Sequence, residues 1–132
     1  MLLGYDLSYE VERVIKSWKP QECKTEKDYE KALCKELVEK LKNRRVESQY
    51  GAGRQSVDIC VEGKIPIEIK NNLKSQANYH RTKGQLDDYI KKWDKVFLIL
   101  CGETDPNILR SLKEFAREKA GLFGERIKIL QK

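Results

Sequence analysis

The stretch from Ser56 to Lys70, SVDICVEGKIPIEIK, constrains the fold most, because apolar residues alternate with other residues on both sides of a glycine. Successive side chains on a strand point to opposite faces. The stretch is therefore predicted to be a β-hairpin that turns at Gly63. One predicted face is charged, with Asp58, Glu68 and Lys70, and the other is apolar, with Val57, Ile59, Val61, Ile65, Ile67 and Ile69.

The predicted register of this hairpin brings two carboxylates together. With residues 62 to 64 as the loop, Asp58 lies across from Glu68 and their Cβ atoms are about 5 Å apart. Two carboxylates this close repel each other unless they share a proton or bind a cation. Mg²⁺ suits the position, because it takes carboxylate ligands and keeps positions open for water and phosphate. Lys70 on the same face indicates that an anion binds there too.

A hairpin with one face in solvent would show the same alternation. Glu and Lys on the outer face of such a hairpin are usually only solvated. Short motifs also occur by chance. The hairpin by itself therefore leaves both interpretations of its charged face open.

A second carboxylate position lies on a helix predicted from Thr25 to about Asn43, which opens with a variant of the capping box. Glu30 is at the centre of its apolar stripe. Buried carboxylates are rare unless they are paired or bind metal. Alternatively, Glu30 reaches past the core to water or interacts favourably with the helix dipole. The stripe consists of Leu33, Cys34, Leu37 and Leu41.

The charged face of the hairpin resembles a known signature. Asp58, nine intervening residues and then Glu68-Ile69-Lys70 resemble the motif of the PD-(D/E)xK nuclease superfamily. This superfamily includes restriction endonucleases, archaeal Holliday junction resolvases and RecB-type nucleases. Val57 stands where the name-giving proline would be, a position that varies within the superfamily.

The resemblance implies an α/β, restriction-endonuclease-like fold, with a mixed central sheet and an α-β-β-β-α-β core flanked by helices. The pattern along the chain predicts helix, helix, strand, strand, strand, helix, strand, helix, strand. The 132 residues are expected to form a single domain, since the chain is too short for two independent cores. In it, an N-terminal helix at 6–19 packs on a core of about 25–131.

The resemblance also implies an activity, that of a magnesium-dependent deoxyribonuclease. The enzyme would be an endonuclease, either similar to the resolvases or similar to the RecB-type nucleases. Asp58 and Glu68 would hold Mg²⁺, with Mn²⁺ as a substitute. The Ile69 carbonyl would be a further ligand, and Glu30 would bind the ion directly or through water. The metal ion would lower the pKa of its bound water. Lys70 would orient this attacking water or stabilise the transition state.

Gln85 and Tyr89 resemble the Q-x-x-x-Y motif that follows the E-x-K strand in RecB-type nucleases. In that group the glutamine helps to hold the metal-bound water or the scissile phosphate, so Gln85 joins the expected catalytic residues. The spacing of four places both side chains on one helical face. Tyr89 is expected either to contact nucleic acid or to be a core aromatic residue.

A formal net charge of +6 favours a polyanionic partner, and DNA is the expected one. Arg54, Lys74, Arg81 and Lys83 are the expected contacts to its backbone, in a complex that weakens steeply with salt. Two other classes of function stay open at this point. One is a non-catalytic nucleic-acid-binding module on the same fold, and the other is a structural or protein-interaction domain.

Several further properties can be expected from the sequence. No apolar run approaches the roughly 20 residues that cross a bilayer, so an intracellular, cytoplasmic location without membrane contact is expected. The four cysteines form no C-x-x-C pair and are expected to be isolated thiols rather than a zinc site. A homodimer would make paired cuts natural, but neither oligomeric state nor an obligate protein partner can be read from the residues.

Overall fold

The helices and strands follow the order predicted from the sequence. The computed structural model describes residues 2–122 and 124–132, with side chains from residue 7 onward, and within these residues four α-helices flank a five-stranded mixed sheet. A short 3₁₀ turn, Gly53–Gln55, lies between the first two strands. The elements in chain order are α1 Leu2–Ser17, α2 Glu26–Lys40, β1 Val46–Tyr50, β2 Val57–Val61, β3 Ile65–Asn71, α3 Gln76–Tyr89, β4 Val96–Cys101, α4 Pro106–Glu118 and β5 Ile127–Gln131.

The sheet has the strands in sequence order, from β1 at one edge to β5 at the other. β1, β2 and β3 are antiparallel neighbours, whereas β3, β4 and β5 are parallel. The predicted parallel β-α-β unit is confirmed, with α4 crossing between β4 and β5, and α3 connects β3 to β4 in the same way. All six residues of β4 are buried, as the continuous apolar run predicted.

Two apolar layers cover the two faces of the sheet. The first packs α1 and α2 on residues such as Ile59 and Ile67. The second packs α3 and α4 on residues such as Cys60 and Leu98. Both faces of the hairpin are therefore covered, because Cys60 is as fully buried as Ile59. The half-exposed hairpin that the alternation also allowed is not what forms.

The predicted hairpin register is confirmed. Ile59 pairs with Ile67 and Val61 with Ile65, so the same register places Asp58 across from Glu68. Gly63 adopts a φ of +64°, a left-handed backbone that a glycine takes without steric cost.

Val57 does not lie on the predicted face. It was expected on the same face as Ile59, which packs against α1 and α2, but it packs in the layer formed by α3 and α4. Its partner on β1 is Tyr50, which packs against the same layer. The preceding residue, Gln49, has a φ of +50°, and a left-handed residue within a strand interrupts the regular alternation of side chains. The alternation is therefore broken at this end of the two strands.

Local signals set the ends of the helices. Thr25 forms the predicted capping box with Asp28 at the start of α2. Asp105 caps α4, with Pro106 in its first turn. α1 runs over Leu2–Ser17 rather than 6–19, and it ends early because Pro20 disfavours helical backbone in the residue before it.

The cysteines and the helix lengths give two further findings. All four cysteines are free thiols in the structure; Cys60 and Cys101 are buried, whereas Cys23 and Cys34 are only partly buried. No helix among the described residues has the length and apolar character needed to cross a membrane.

Candidate active site

Asp58 and Glu68 are joined across β2 and β3 by reciprocal hydrogen bonds. The backbone N–H of Ile69 donates to Asp58 Oδ2 at 2.8 Å, and the backbone N–H of Asp58 donates to Glu68 Oε1 at 3.3 Å. Each carboxylate thus accepts from the backbone of the opposite strand. The predicted approach of these two carboxylates is confirmed, and the bonds hold both groups at fixed positions between the strands.

Burial makes this pair electrostatically unfavourable when both groups are charged. Glu68 is only 5% exposed, and its burial together with the Asp58 charge raises the pKa of Glu68 to about 7. Burial also raises the pKa of Asp58, against the opposing effect of the hydrogen bond from Ile69, and the charge of Glu30 adds to the rise. The pair is therefore relieved by a bound proton or a bound cation.

Lys70 lies beside Glu68, two residues farther along β3. Its Nζ is 3.4 Å from Glu68 Oε2, and its side chain is 14% exposed. Its positive charge lowers the pKa of Asp58 and of Glu68, but this effect is smaller than the effect of burial. Two carboxylates against one ammonium leave an excess of negative charge, which favours a further cation at this place.

Glu30 is buried on α2, as its place in the apolar stripe predicted. It is 6% exposed, so it does not reach past the core to water. Gln49 Nε2 donates to Glu30 Oε1 at 3.0 Å, and Lys27 Nζ is 3.6 Å from Glu30 Oε2. The charge of Glu30 adds to the raised pKa of Asp58, but among the described residues Glu30 does not join Asp58 and Glu68 in a cluster of three metal-ligating groups.

Two contacts near these carboxylates involve residues that sequence reasoning assigned no role. One is the Gln49 amide on Glu30. The other is Glu26, whose Oε2 accepts from the backbone N–H of Asn71 at 3.1 Å and whose charge adds to the raised pKa of Asp58. Glu26 is four residues before Glu30, a helical spacing that would have pointed to the same face. Nothing in the local sequence marks Gln49.

Tyr89 is a core residue rather than a contact for nucleic acid. It is 1% exposed, and its hydroxyl donates to the carbonyl of Ser56 at 2.8 Å. Burial, and after it the charge of Glu68, raise the pKa of Tyr89. A side chain without exposed surface cannot meet a phosphate or a sugar, so the expected binding role of Tyr89 is wrong and its expected role in the core is confirmed.

Gln85 lies one helical turn before Tyr89 on α3. Its Oε1 is buried and has no hydrogen-bond partner among the described residues. A buried acceptor without a donor costs free energy, and each such case in a folded protein calls for an explanation. This oxygen can therefore accept a hydrogen bond from a donor that is not among the described residues.

The donor set fits an oxygen-liganded cation. No group of three or more His, Cys, Asp or Glu side chains placed to hold a metal ion is found within residues 2–122 and 124–132. The two hairpin carboxylates nevertheless repel each other, and together they outnumber the single ammonium of Lys70. Mg²⁺ and Mn²⁺ accept such a set, since Mg²⁺ is commonly held by one or two carboxylates and several waters.

The four basic residues expected at DNA occupy different surroundings. Arg54 is exposed in the 3₁₀ turn that leads into β2, and Lys74 is exposed after β3. Arg81 is exposed on α3. Lys83 is partly buried, with its Nζ 5.5 Å from the ring centroid of Phe115 on α4. Arg54 and Lys74 therefore adjoin the strands that carry the carboxylates, whereas Lys83 is directed toward α4.

A cavity elsewhere does not involve these residues. It has a volume of about 470 Å³ and lies between α4 and β5, where Lys113, Arg117 and Ile127 contribute to its lining. None of the predicted site residues lines it.

Comparisons of the chain with protein-family models, with curated proteins and with solved structures give no match. Function is therefore inferred from the residues and their geometry.

Proposed function

We propose that this chain is a divalent-metal-dependent nuclease that hydrolyses phosphodiester bonds in DNA, on a restriction-endonuclease-like fold. One observation carries the proposal: the buried Glu68 and the partly buried Asp58 each accept a hydrogen bond from the opposite strand, and Lys70 Nζ lies 3.4 Å from Glu68. A purely structural ion pair needs one acid and one base. The second acid adds a like charge beside Glu68, and a bound cation would relieve this repulsion without protonating either group.

The fold supports this proposal. α2, β1, β2, β3, α3 and β4 follow one another in the α-β-β-β-α-β order that the sequence resemblance implies. The sheet is mixed, as expected for such a core, and Glu30 projects from the first helix of that core toward the hairpin.

Asp58 and Glu68 would hold Mg²⁺, with Mn²⁺ as a substitute. The Ile69 carbonyl would be a further ligand, and Glu30 would bind directly or through water. When bound, the ion lowers the pKa of a water and offsets the charge that develops on the phosphate. The repulsion between Asp58 and Glu68 would be relieved by the charge of such an ion.

The remaining residues would act on water and substrate. Lys70 is the nearest positive side chain to the carboxylates, so its ammonium can donate to the attacking water or to a phosphate oxygen as negative charge develops. Gln85 Oε1 can accept from the water and so orient its lone pair toward phosphorus. Arg54, before the start of β2, and Lys74, after the end of β3, are exposed and can hold the DNA backbone.

The test is a cleavage panel with supercoiled plasmid, linear duplex, single-stranded and four-way-junction DNA in Mg²⁺, in Mn²⁺ and in chelator. We expect metal-dependent cleavage by the wild type and none by Asp58→Ala. Asp94→Ala removes an exposed acid outside the site and serves as the control that keeps activity. DNA binding without cleavage would instead favour a non-catalytic module, and equal cleavage by wild type and Asp58→Ala would contradict the proposed site.

A further inference from the structure

Gln49 occupies an unusual place at the edge of the sheet. On β1 it lies between Ser48, which pairs with Ile59, and Tyr50, which pairs with Val57. The same register puts Gln49 across from Asp58. Gln49, Asp58 and Glu68 therefore lie in one row across the first three strands.

The backbone of Gln49 is strained. Its φ is +50°, a left-handed conformation that crowds the Cβ of any residue except glycine. Such strain persists only where the surrounding structure enforces it, and it is concentrated at functional sites. Gly and Asn adopt this conformation at lower cost, because Gly has no side chain and Asn has a short polar one. Gln49 has a longer side chain and lacks both advantages.

The strained backbone directs the Gln49 amide to the helix that carries Glu30. Regular alternation would place Gln49 on the same face as Glu47, whose partner Cys60 packs toward α3 and α4. Instead, Gln49 Nε2 reaches the opposite layer and donates to Glu30 Oε1 at 3.0 Å.

Glu30 contacts one neutral group, the Gln49 amide, and one positive group, the Lys27 ammonium. An amide donor holds the carboxylate in one direction without adding a positive charge to the pair. The other oxygen of Glu30 meets Lys27, whose side chain is 59% exposed, so the charge of Lys27 is largely screened by water. The Gln49 amide thus fixes one oxygen of Glu30.

We propose that Gln49 is a positioning residue that holds the Glu30 carboxylate toward Asp58, so that Glu30 takes part in binding the divalent cation. This inference rests on the proposed function. It adds a residue with no role in the signature that suggested that function. Outer groups that orient a metal ligand typically change metal affinity by about 10- to 100-fold when they are removed.

The test compares two glycine substitutions in β1. Gln49→Gly removes the amide and relieves the left-handed backbone, whereas Ser48→Gly weakens the same edge strand at an exposed residue that leaves the amide in place. Mn²⁺ affinity is measured by titration calorimetry without DNA, and the unfolding midpoint is measured in chelator. We expect Gln49→Gly to bind Mn²⁺ about 10-fold or more weakly than the wild type and to unfold no lower than Ser48→Gly, which keeps its affinity.

A double-mutant cycle with Glu30→Gln identifies the group through which Gln49 acts. If Gln49 acts through Glu30, the double variant binds Mn²⁺ no more weakly than Glu30→Gln alone. The positioning role is overturned if Gln49→Gly keeps wild-type affinity while Asp58→Ala loses it, or if the two losses in the cycle add. A wild type that binds no Mn²⁺ overturns the nuclease proposal and this inference together.

Discussion

The backbone N–H of Asp58 donates to the Glu68 carboxylate, with 3.3 Å between the nitrogen and Oε1. The Asp58 carboxylate in turn accepts from the residue that follows Glu68, at 2.8 Å. The two acids cannot move apart without breaking a backbone hydrogen bond. Their repulsion is therefore built into the pairing of β2 and β3.

The stability of the metal-free protein should fall as pH rises from about 4.5 to about 7. The pKa of Glu68 is raised from 4.5 to about 7, first by burial and then by the Asp58 charge, so the folded state binds more protons than the unfolded state in this range. More protons on the folded state means that the free energy of unfolding decreases with pH. Unfolding midpoints in chelator should show this, and Glu68→Gln should show a smaller decrease than the wild type. Parallel curves for the two proteins would contradict the assignment.

Asp58→Asn should abolish metal binding without lowering the stability of the fold. The asparagine keeps an oxygen that can accept from Ile69, but it removes one of the two repelling charges. We expect the metal-free variant to unfold no lower than the wild type at pH 8. Mg²⁺ should raise the midpoint of the wild type, because it binds only the folded state, and should not raise that of the variant. A wild-type shift in Asp58→Asn would show that the ion binds elsewhere.

Lys70→Met should slow DNA cleavage without weakening metal binding. The methionine keeps an apolar chain in the same space and removes the ammonium 3.4 Å from Glu68. Cleavage should fall by about 100-fold or more, the usual effect of losing one donor to the developing charge. Mn²⁺ affinity should be equal or higher, because the ammonium no longer competes for Glu68. A variant that loses metal binding and cleavage together would show that Lys70 only supports the structure.

Arg54→Gln should weaken DNA binding in a salt-dependent way. Arg54 is exposed in the 3₁₀ turn before β2, four residues ahead of Asp58. Loss of one phosphate contact should reduce the slope of log affinity against log salt by about 1. Lys113→Gln, an equal change of charge on α4, should have little effect on the slope. Equal effects of the two substitutions would indicate attraction by net charge alone.

Much of the fold could be predicted because the signals are local. The alternation on both sides of Gly63 determined the hairpin and its register, which in turn determined that Asp58 faces Glu68. The Thr25 capping box and the Asp105-Pro106 cap marked the starts of two helices. The continuous apolar run from Val96 determined a strand buried on both faces.

Only the tertiary structure decided how the side chains around the carboxylates are arranged. Gln49 has a left-handed backbone although it is neither Gly nor Asn, so its residue type does not predict this conformation. The change of face at Val57 and the hydrogen bond from the Gln49 amide to Glu30 were therefore not predicted. The spacing of Tyr89 was compatible with a role at the surface or in the core, and in the packed structure its side chain is buried in the core. The physical reason is range: periodicity and caps depend on neighbours along the chain. The direction of an amide or the burial of an acid depends on groups that meet only after the sheet and helices have packed.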